Sequence, residues 1–418
     1  MTKQAIRLSA GWLRDGVLAG LLAVLDRDGE QARVVGGAVR NALLGEPPGD
    51  IDIATTALPA EVARRVETAG FKAVPTGIEH GTITVVADDR PFEVTTLRED
   101  IETYGRRAKV AFGRDWRRDA ERRDFTINAL YLARDGTLHD YVGGLADVAA
   151  RRVRFIGDPA ARIAEDYLRI LRFFRFHAAY GGGGLPDAAG LHACIVARAG
   201  LDTLSRERVR MEMLKLMLAR HAVPALAVMT ETGLLEMVLG GVPLLASLSN
   251  LIKLEAALSL APDPVRRLGA IGVFVTEDAE RLRERLRLAN TEFERLRSMA
   301  DAWWRITAGM SEQEARALIY RLRGAAFTDR VLLAWSRAPE GAADAAWRTL
   351  ATLPARWTAP AFPLKAADFM ARGLAQGPAL GAAIRAAEDA WVTAGFPLDR
   401  ATLSAIVDAA AASAARGS

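Results

Sequence analysis

The pattern of apolar and polar positions changes once along the chain, near Asp158. Before that point, short runs of β-branched and other apolar residues alternate with turn residues, which is typical of strands. A segment among them, Pro59–Ala69, opens with a proline and has helical spacing. The pattern therefore predicts an α+β unit on a small mixed sheet. The predicted strands are Arg33–Val35, Ile51–Ala54, Phe71–Val74, Thr82–Val86 and Phe92–Thr95.

From Asp158-Pro159 onward the spacing is helical to the C terminus, and this pair is a helix cap followed by a first-turn proline. We predict one amphipathic helix over Asp158–Tyr180 and only helices after it. The segment Thr95–Arg118 is rich in Arg and Gly and shows no clear strand or helix before Asp115, so it is predicted as a mobile loop. The apolar stripe of the predicted helix is Ile163, Tyr167, Ile170, Leu171 and Phe174.

Composition limits the class of protein. The chain has 418 residues, half of them apolar, which is enough for more than one buried core. The single cysteine, Cys194, cannot form an internal disulfide, so a reducing compartment such as the cytoplasm is expected. Arg14 and Asp15 interrupt the apolar N-terminal segment, which excludes a signal peptide or membrane span there. The net charge of +4 does not by itself predict nucleic-acid binding.

The segment VVGGAVRNALLGEPPGDIDIATT carries the strongest chemical signal. Gly36-Gly37 ends a predicted strand, and a predicted helix starts with Val39–Leu44. Glycines at a helix start let the backbone approach a phosphate and present free N–H groups to it, and Arg40 can add a two-pronged contact. This turn is therefore a candidate triphosphate site.

Two carboxylates follow on the next predicted strand. Asp50 and Asp52 are two residues apart, so both side chains lie on one face while Ile51 and Ile53 point into the sheet. Such a pair suits shared Mg²⁺ in an in-line phosphoryl displacement by two metal ions. Glu93 is a third candidate carboxylate, which its apolar neighbours would bury in an adjacent strand.

Each of these signals is weak alone, since a Gly-Gly pair is usually only a turn and an Asp-x-Asp pair is usually a solvated strand edge. Their ordered combination is much rarer. The segment resembles the signature of the nucleotidyltransferase superfamily, and specifically the class II tRNA nucleotidyltransferase and bacterial poly(A) polymerase family. Further blocks resemble that family in its own order: FEVTTLRED, RRDFTINALY, HDYVGGLADV, EDYLRILRFFRF and LSRERVRMEMLKLM.

The resemblance implies a division of labour along the chain: a catalytic head at 1–150, a helical neck that recognises the base at 151–220, and a helical body and tail at 221–418 that bind tRNA. It implies Mg²⁺ as cofactor, CTP and ATP as substrates and tRNA as acceptor, with no membrane and no obligate protein partner. Asp50 and Asp52 match the metal-binding pair of the family. Asn41 departs from the aspartate of many members, and Arg40 is retained.

Asp166 and Arg169 invite two interpretations. At a spacing of three on a helix they can form a weak surface ion pair. Alternatively, a carboxylate that only accepts and a guanidinium that only donates can pair with the amino group and ring nitrogen of cytosine or adenine. Guanine and uracil present the reverse arrangement and would leave polar groups unpaired. The resemblance favours the second interpretation.

The resemblance also places further residues near the nucleotide. Asp124, Asn128 and the arginines Arg122 and Arg123 are expected to contact its sugar and phosphates. Two more candidate contacts, which solvation would explain equally well, are Arg172 and Arg175.

Three other functions would explain parts of this sequence. His139-Asp140 invites comparison with an HD phosphohydrolase, but no histidine follows His221 to complete a metal cluster. A poly(A) polymerase shares every catalytic motif, yet a strongly basic C-terminal extension is expected there and this chain ends rich in alanine. A non-catalytic RNA-binding protein is disfavoured because the carboxylates are all present.

Overall fold

The computed structural model describes residues 6–104, 107–341 and 343–416. The chain forms two compact units, one of residues 1–240 with 285–287 and the other of 241–284 with 288–418. Within the described ranges, none of the helices has the length and apolar character that crossing a membrane requires.

A mixed sheet of seven strands forms the centre of the first unit, in the order β3-β4-β5-β2-β1-β8-β9. β2 runs parallel to β5 and all other neighbours are antiparallel. All five predicted strands are confirmed, each with its ends shifted by at most a few residues. The strands of this sheet are β1 (Ala32–Val35), β2 (Asp52–Thr55), β3 (Lys72–Gly77), β4 (Thr82–Ala87), β5 (Arg90–Thr96), β8 (Leu130–Ala133) and β9 (Leu138–Asp140).

The remaining strands, β6 (Arg98–Tyr104) and β7 (Arg107–Phe112), pair as an antiparallel hairpin. The prediction of a loop without strands across Thr95–Arg118 is therefore wrong, and residues 105–106 lie outside the described part. The hairpin was not predictable from local pattern, because backbone hydrogen bonds hold it together and its positions carry no continuous apolar alternation.

Five α-helices lie within the described part of the first 150 residues. Asp15 caps the first of them by accepting from the N–H groups of Val17 and Leu18 at 3.0 and 3.3 Å. The interior is fully buried and aliphatic, including Leu22, Val34 and Ile53. These helices are α1 (Gly16–Leu25), α2 (Gly37–Leu43), α3 (Pro59–Thr68), α4 (Trp116–Glu121) and α5 (Gly144–Ala149).

The helix predicted over Asp158–Tyr180 is two helices, so its prediction as one element is wrong. The chain is extended at Asp166, with φ −157° and ψ 106°. Asp166 breaks the helix because its Oδ1 accepts the N–H of Leu168 at 3.1 Å and caps the second segment. The helices from here to residue 240 are α6 (Pro159–Glu165), α7 (Leu168–Tyr180), α8 (Ala188–Val196), α9 (Arg206–Met217), α10 (Ala222–Glu231) and α11 (Leu234–Leu239).

The second unit is helical throughout its described residues, as predicted. Part of its interior is ionic, since Glu255 and Asp329 are buried and pair with Arg266 at 2.9 and 2.8 Å. Its helices are α12 (Leu245–Ala257), α13 (Pro264–Gly272), α14 (Thr276–Leu286), α15 (Asn290–Ala300), α16 (Glu312–Leu322), α17 (Gly324–Arg337), α18 (Asp344–Arg356), α19 (Ala366–Met370), α20 (Pro378–Thr393) and α21 (Arg400–Arg416).

Candidate active site

Three carboxylates lie at the start of β2 and beside it. β2 begins at Asp52, and Asp50 precedes the strand by two residues rather than lying within it. Glu93 of β5 is the direct register partner of Asp52 across the parallel pair, so the two side chains lie on the same face. The prediction that Glu93 is buried is wrong, because Phe92 and Val94 fill the opposite, buried face of β5 and leave Glu93 exposed.

This clustering has an electrostatic cost. Burial, the nearby charge of Glu93 and, more weakly, that of Asp50 raise the pKa of Asp52 to about 6, although Arg123 acts in the opposite direction. A carboxyl pKa rises when the ionised form lacks compensating positive charge. The start of β2 is therefore a place that a cation would stabilise.

The donor set fits a divalent cation that is shared with a substrate. Among the described residues, no group of three or more His, Cys, Asp and Glu is arranged to hold a metal by itself. Mg²⁺ is usually held by one or two carboxylates together with substrate phosphates, and Asp50 and Asp52 supply such a pair. Asp140 is used locally instead, since its carboxylate accepts the N–H groups of Gly143 and Leu145, both at 2.9 Å.

The glycine turn leads directly into α2. Gly36 has φ +78° and ψ −123°, a conformation that L side chains rarely adopt, so glycine is required there. α2 is only two turns long, so its contribution comes from the unpaired N–H groups of its first turn more than from a helix dipole.

Arg40 on α2 is held by neutral groups. Its Nη1 donates to Asn128 Oδ1 at 2.5 Å, and its Nη2 donates to Asn41 Oδ1 at 2.9 Å and to the Tyr180 hydroxyl at 2.7 Å. The guanidinium also lies 3.8 Å from the centre of the Tyr180 ring. Within the described residues, no carboxylate forms an ion pair with Arg40, so no direct contact neutralises its charge. Asn41 thus orients Arg40 without neutralising it.

Arg122 and Arg123 share one buried anion. Asp119 is 1% exposed and accepts from Arg122 Nη2 at 2.6 Å, from Arg123 Nη2 at 3.2 Å and from the Tyr131 hydroxyl at 2.8 Å. Burial alone would raise the pKa of Asp119, but Arg123 and Arg122 outweigh burial and lower it to about 2. Two guanidinium groups with one carboxylate leave a net positive charge beside Asp52.

Asp124 forms hydrogen bonds with neighbouring side chains in the ligand-free cleft. Its Oδ2 accepts from Arg172 Nε at 2.8 Å and Nη2 at 2.5 Å, and its Oδ1 accepts from Asn128 Nδ2 at 3.2 Å. Burial would raise the pKa of Asp124, yet the Arg172 guanidinium holds it below the usual value. Arg175 is similarly paired with Glu212 of α9 at 2.5 Å.

The surface ion pair between Asp166 and Arg169 does not form. Arg208 of α9 contacts the Asp166 carboxylate in two places, with Nη2 to Oδ2 at 2.5 Å and Nη1 to Oδ1 at 3.3 Å. Arg169 pairs with Glu165, which also accepts from Arg162 at 2.9 Å. The break between α6 and α7 makes these partners possible, because it turns Asp166 away from the surface of one continuous helix.

These groups line a single cleft of about 720 Å³ within the first unit, a size that accommodates a nucleotide. The cleft brings together thirteen of the fourteen predicted site residues, and Glu93 is not part of its lining. Sequence reasoning missed Tyr180, Phe176, Leu168 and Arg208, which also line it. The predicted residues in the lining are Gly36, Gly37, Arg40, Asp50, Asp52, Arg122, Arg123, Asp124, Asn128, Asp166, Arg169, Arg172 and Arg175.

Comparison with known proteins gives this cleft a family context. The profile of the family described as "Poly A polymerase head domain" matches residues 32–154, and that of "Probable RNA and SrmB- binding site of polymerase A" matches residues 192–248. The mitochondrial CCA tRNA nucleotidyltransferase 1 of Danio rerio is 34% identical over 399 residues, covering 92% of this chain and 88% of the relative. A CCA-adding enzyme of Geobacillus thermodenitrificans is 41% identical over 218 residues, covering 51% of this chain and 52% of the relative.

A solved structure agrees with these relatives. The Bacillus stearothermophilus CCA-adding enzyme, solved in complex with CTP, is 27% identical with a TM-score of 0.74, and the match covers 96% of this chain and 98% of that enzyme. Enzymes of this kind depend on a divalent metal ion. The extent of these matches shows that the chain belongs to the family of class II CCA-adding nucleotidyltransferases and poly(A) polymerases.

Proposed function

We propose that the protein adds CMP twice and AMP once, from CTP and ATP, to the 3′ end of tRNA without a nucleic-acid template. One observation carries the proposal: the carboxylates Asp50 and Asp52 open into the same cleft as Asp166 and Arg169. Phosphoryl-transfer chemistry and base selection can therefore act on one bound nucleotide. The relatives named above, which are CCA-adding enzymes, support this acceptor and these substrates.

The triphosphate is bound by the glycine turn and by Arg40 in this proposal. Gly36 and Gly37 allow close approach of the backbone N–H groups, and Arg40 offers a charge that no described carboxylate neutralises. Arg123, beside Asp52, adds positive charge near the departing phosphates. In this arrangement the phosphates lie between the Arg40 guanidinium on α2 and the carboxylate of Asp52 on β2.

Asp50 and Asp52 are proposed to hold Mg²⁺ together with the phosphates, and Glu93 stands beside Asp52 as a third carboxylate. When bound, the metal supplies charge neutralisation at the phosphates and activates the attacking hydroxyl of the RNA. Asp52 then exchanges the repulsion of its acidic neighbours for a cation, so its ionised form becomes the stable one.

Asp166 and Arg169 are proposed to read the base, with the carboxylate accepting from its amino group and the guanidinium donating to its ring nitrogen. Asp124, Asn128, Arg172 and Arg175 lie along the same cleft and are proposed to contact sugar and phosphates. Because Arg172 and Arg175 are already paired, their role includes orienting α7 against its neighbours.

The proposal extends to the remaining parts of the chain. A catalytic head at 1–150, a base-recognising neck at 151–220 and a tRNA-binding body and tail at 221–418 account for the order of the motifs. A cytoplasmic location is proposed from the single, buried Cys194, and the mitochondrial Danio rerio relative defines the alternative.

A poly(A) polymerase is the second candidate, because a profile of that description matches residues 32–154. One experiment separates the two. The protein is incubated with Mg²⁺ and tRNA lacking its 3′ CCA, together with CTP alone, ATP alone or both, and the products are sequenced. We expect two C residues, little A, and CCA, respectively. Long A tails with ATP alone would identify the polymerase, and no product under any condition would support a non-catalytic RNA-binding protein.

A further inference from the structure

The carboxylate of Asp166 is nearly saturated with hydrogen bonds in the ligand-free cleft. Two carboxylate oxygens offer about four acceptor positions. On Oδ1, one is taken by the N–H of Leu168 at 3.1 Å and one by Arg208 Nη1 at 3.3 Å. On Oδ2, one is taken by Arg208 Nη2 at 2.5 Å. Counted over the contacts of the described residues, only Oδ2 retains room for a further donor.

We propose that Arg208 determines base specificity in the cleft by positioning Asp166. Its contacts leave the Asp166 carboxylate able to accept from only one further donor, and this excludes guanine. This inference rests on the proposed function, and it adds a residue and a reason for the choice of base. Arg208 lies 42 positions from Asp166 in the sequence, on α9, and lines the cleft beside it.

The chemistry of the bases explains why one acceptor matters. Cytosine and adenine each present one amino donor beside a ring-nitrogen acceptor on their pairing edge. Guanine presents two adjacent donors, its N1–H and its amino group, beside a carbonyl. A carboxylate with both oxygens open binds two adjacent donors side by side, and Arg169 could then donate to the guanine carbonyl. Asp166 and Arg169 without Arg208 would therefore suit guanine well.

Arg208 prevents the Asp166 carboxylate from binding both guanine donors side by side. Its fork covers both oxygens on one side, and the Leu168 N–H takes the other position on Oδ1. A base with one donor can use the open position on Oδ2, whereas guanine would leave its second donor without an acceptor. A buried unpaired donor is strongly unfavourable, so the arrangement disfavours guanine more than uracil, which has only one ring N–H to place.

The experiment compares nucleotide selection in Arg208→Met and Arg208→Lys with the wild type. Methionine preserves length and removes every donor, and lysine keeps the charge but cannot cover both oxygens. Lys215→Met, on the same helix with an exposed side chain, is the matched control. Equilibrium dialysis with Mg²⁺ gives the dissociation constants of CTP, ATP, UTP and GTP without tRNA, and incorporation into tRNA lacking CCA is measured separately.

We expect the preference for CTP over GTP in binding to fall by about tenfold or more in Arg208→Met, the equivalent of one charge-assisted hydrogen bond. Arg208→Lys should be intermediate, the preference over UTP should change less, and Lys215→Met should match the wild type. If Arg208→Met folds poorly, Arg208→Lys still carries the comparison. An unchanged ratio of CTP to GTP affinity, with all four nucleotides weakened equally or not at all, would overturn the inference.

Failure of the inference and failure of the proposed function are distinguishable. A wild-type protein that incorporates neither C nor A into tRNA contradicts the function, whereas the binding ratios test Arg208 without any turnover.

Discussion

The start of β2, in the proposed head, and helices α7 and α9, in the proposed neck, differ in whether their charged side chains have ion-pair partners. Around the start of β2, Asp50, Asp52 and Glu93 form no ion pair with any described residue, and the pKa of Asp52 rises to about 6 as a result of burial and its neighbours. Along α7 and α9 the charges are matched, as in the pairs Asp166–Arg208 and Arg175–Glu212.

The two regions therefore differ in what a ligand would supply. The carboxylates at the start of β2 have no ion-pair partner among the described residues, so a cation bound together with phosphates would stabilise their ionised forms. The charges along α7 and α9 are already paired, so a base at the proposed site would bind by sharing or replacing hydrogen bonds rather than by supplying charge. Mutations should therefore affect chemistry in the head, and selection among bases in the neck.

The largest effect is expected from Asp50→Ala or Asp52→Ala. Either change should lower single-turnover incorporation of both CTP and ATP by at least about 1000-fold, because the proposed metal site is lost. Binding of tRNA, followed by gel shift, should stay within about twofold, because phosphate contacts dominate affinity. Glu67→Ala, an exposed carboxylate on α3, is the control and should behave as the wild type. A tenth of the turnover remaining in either variant would contradict the metal assignment.

Asp119→Asn tests the anion that orients Arg122 and Arg123. Breaking this buried network should cost about 3 kcal/mol in the free energy of unfolding at pH 7. The pKa of Asp119 is lowered to about 2 in the folded protein, so its contribution is complete above its ordinary pKa and lost as pH falls through about 2. The difference in thermal stability between wild type and variant should therefore shrink between pH 4 and pH 2. A difference that stays constant over this window would show that the ionised carboxylate is not the stabilising group.

Asp166→Ala and Arg169→Ala probe the residues proposed to read the base. Each should reduce kcat/KM for CTP and ATP together by about 10- to 100-fold, the range that one or two charge-assisted hydrogen bonds provide. Asp166→Ala should also narrow the advantage over UTP and GTP, since the carboxylate that distinguishes the bases by their donors is lost. Steady-state kinetics with all four triphosphates measures both effects. Variants with wild-type rates and preference would place selection elsewhere in the cleft.

The smallest effect is expected from Tyr180→Phe, which removes the hydroxyl that accepts from Arg40 and leaves the ring beneath the guanidinium. The KM for both nucleotides should rise by about fivefold with little change in kcat, because Arg40 loses one hydrogen bond but keeps those to Asn41 and Asn128. Tyr180→Leu, which also removes the ring, should raise KM further. Equal values for the two variants would mean that the hydroxyl, and not the ring, holds Arg40.

The local features of the site were predictable from sequence, and the long-range ones were not. The glycine turn, Asp50 and Asp52 lie within one short segment of the chain. Each strand that flanks them has its own apolar run, so both strands could be predicted locally. The break at Asp166 escaped prediction because the apolar stripe continues through it, with Ile163 and Ile170 both buried. Arg208 escaped because its partner lies 42 residues away and nothing local marks the pair.

Strand β8 shows the same limit. It lies partly within the segment RRDFTINALY, where Leu130 and Tyr131 are buried, but no strand was predicted there. Pairing of β8 with β1 joins residues about a hundred positions apart, such as Val34 and Leu132. Apolar periodicity indicates which residues are buried. It does not indicate which strand they pair with, because that depends on the whole fold.

In the proposed function, a divalent cation bound together with a nucleotide completes the carboxylates Asp50 and Asp52. The most direct measurement is electron paramagnetic resonance of Mn²⁺, used in place of Mg²⁺, titrated into the wild type and into the Asp50→Ala, Asp52→Ala double variant, with and without CTP. We expect the wild type to bind Mn²⁺ more tightly when CTP is present and the double variant to lose this gain. Equal Mn²⁺ binding by the two proteins in the presence of CTP would contradict it.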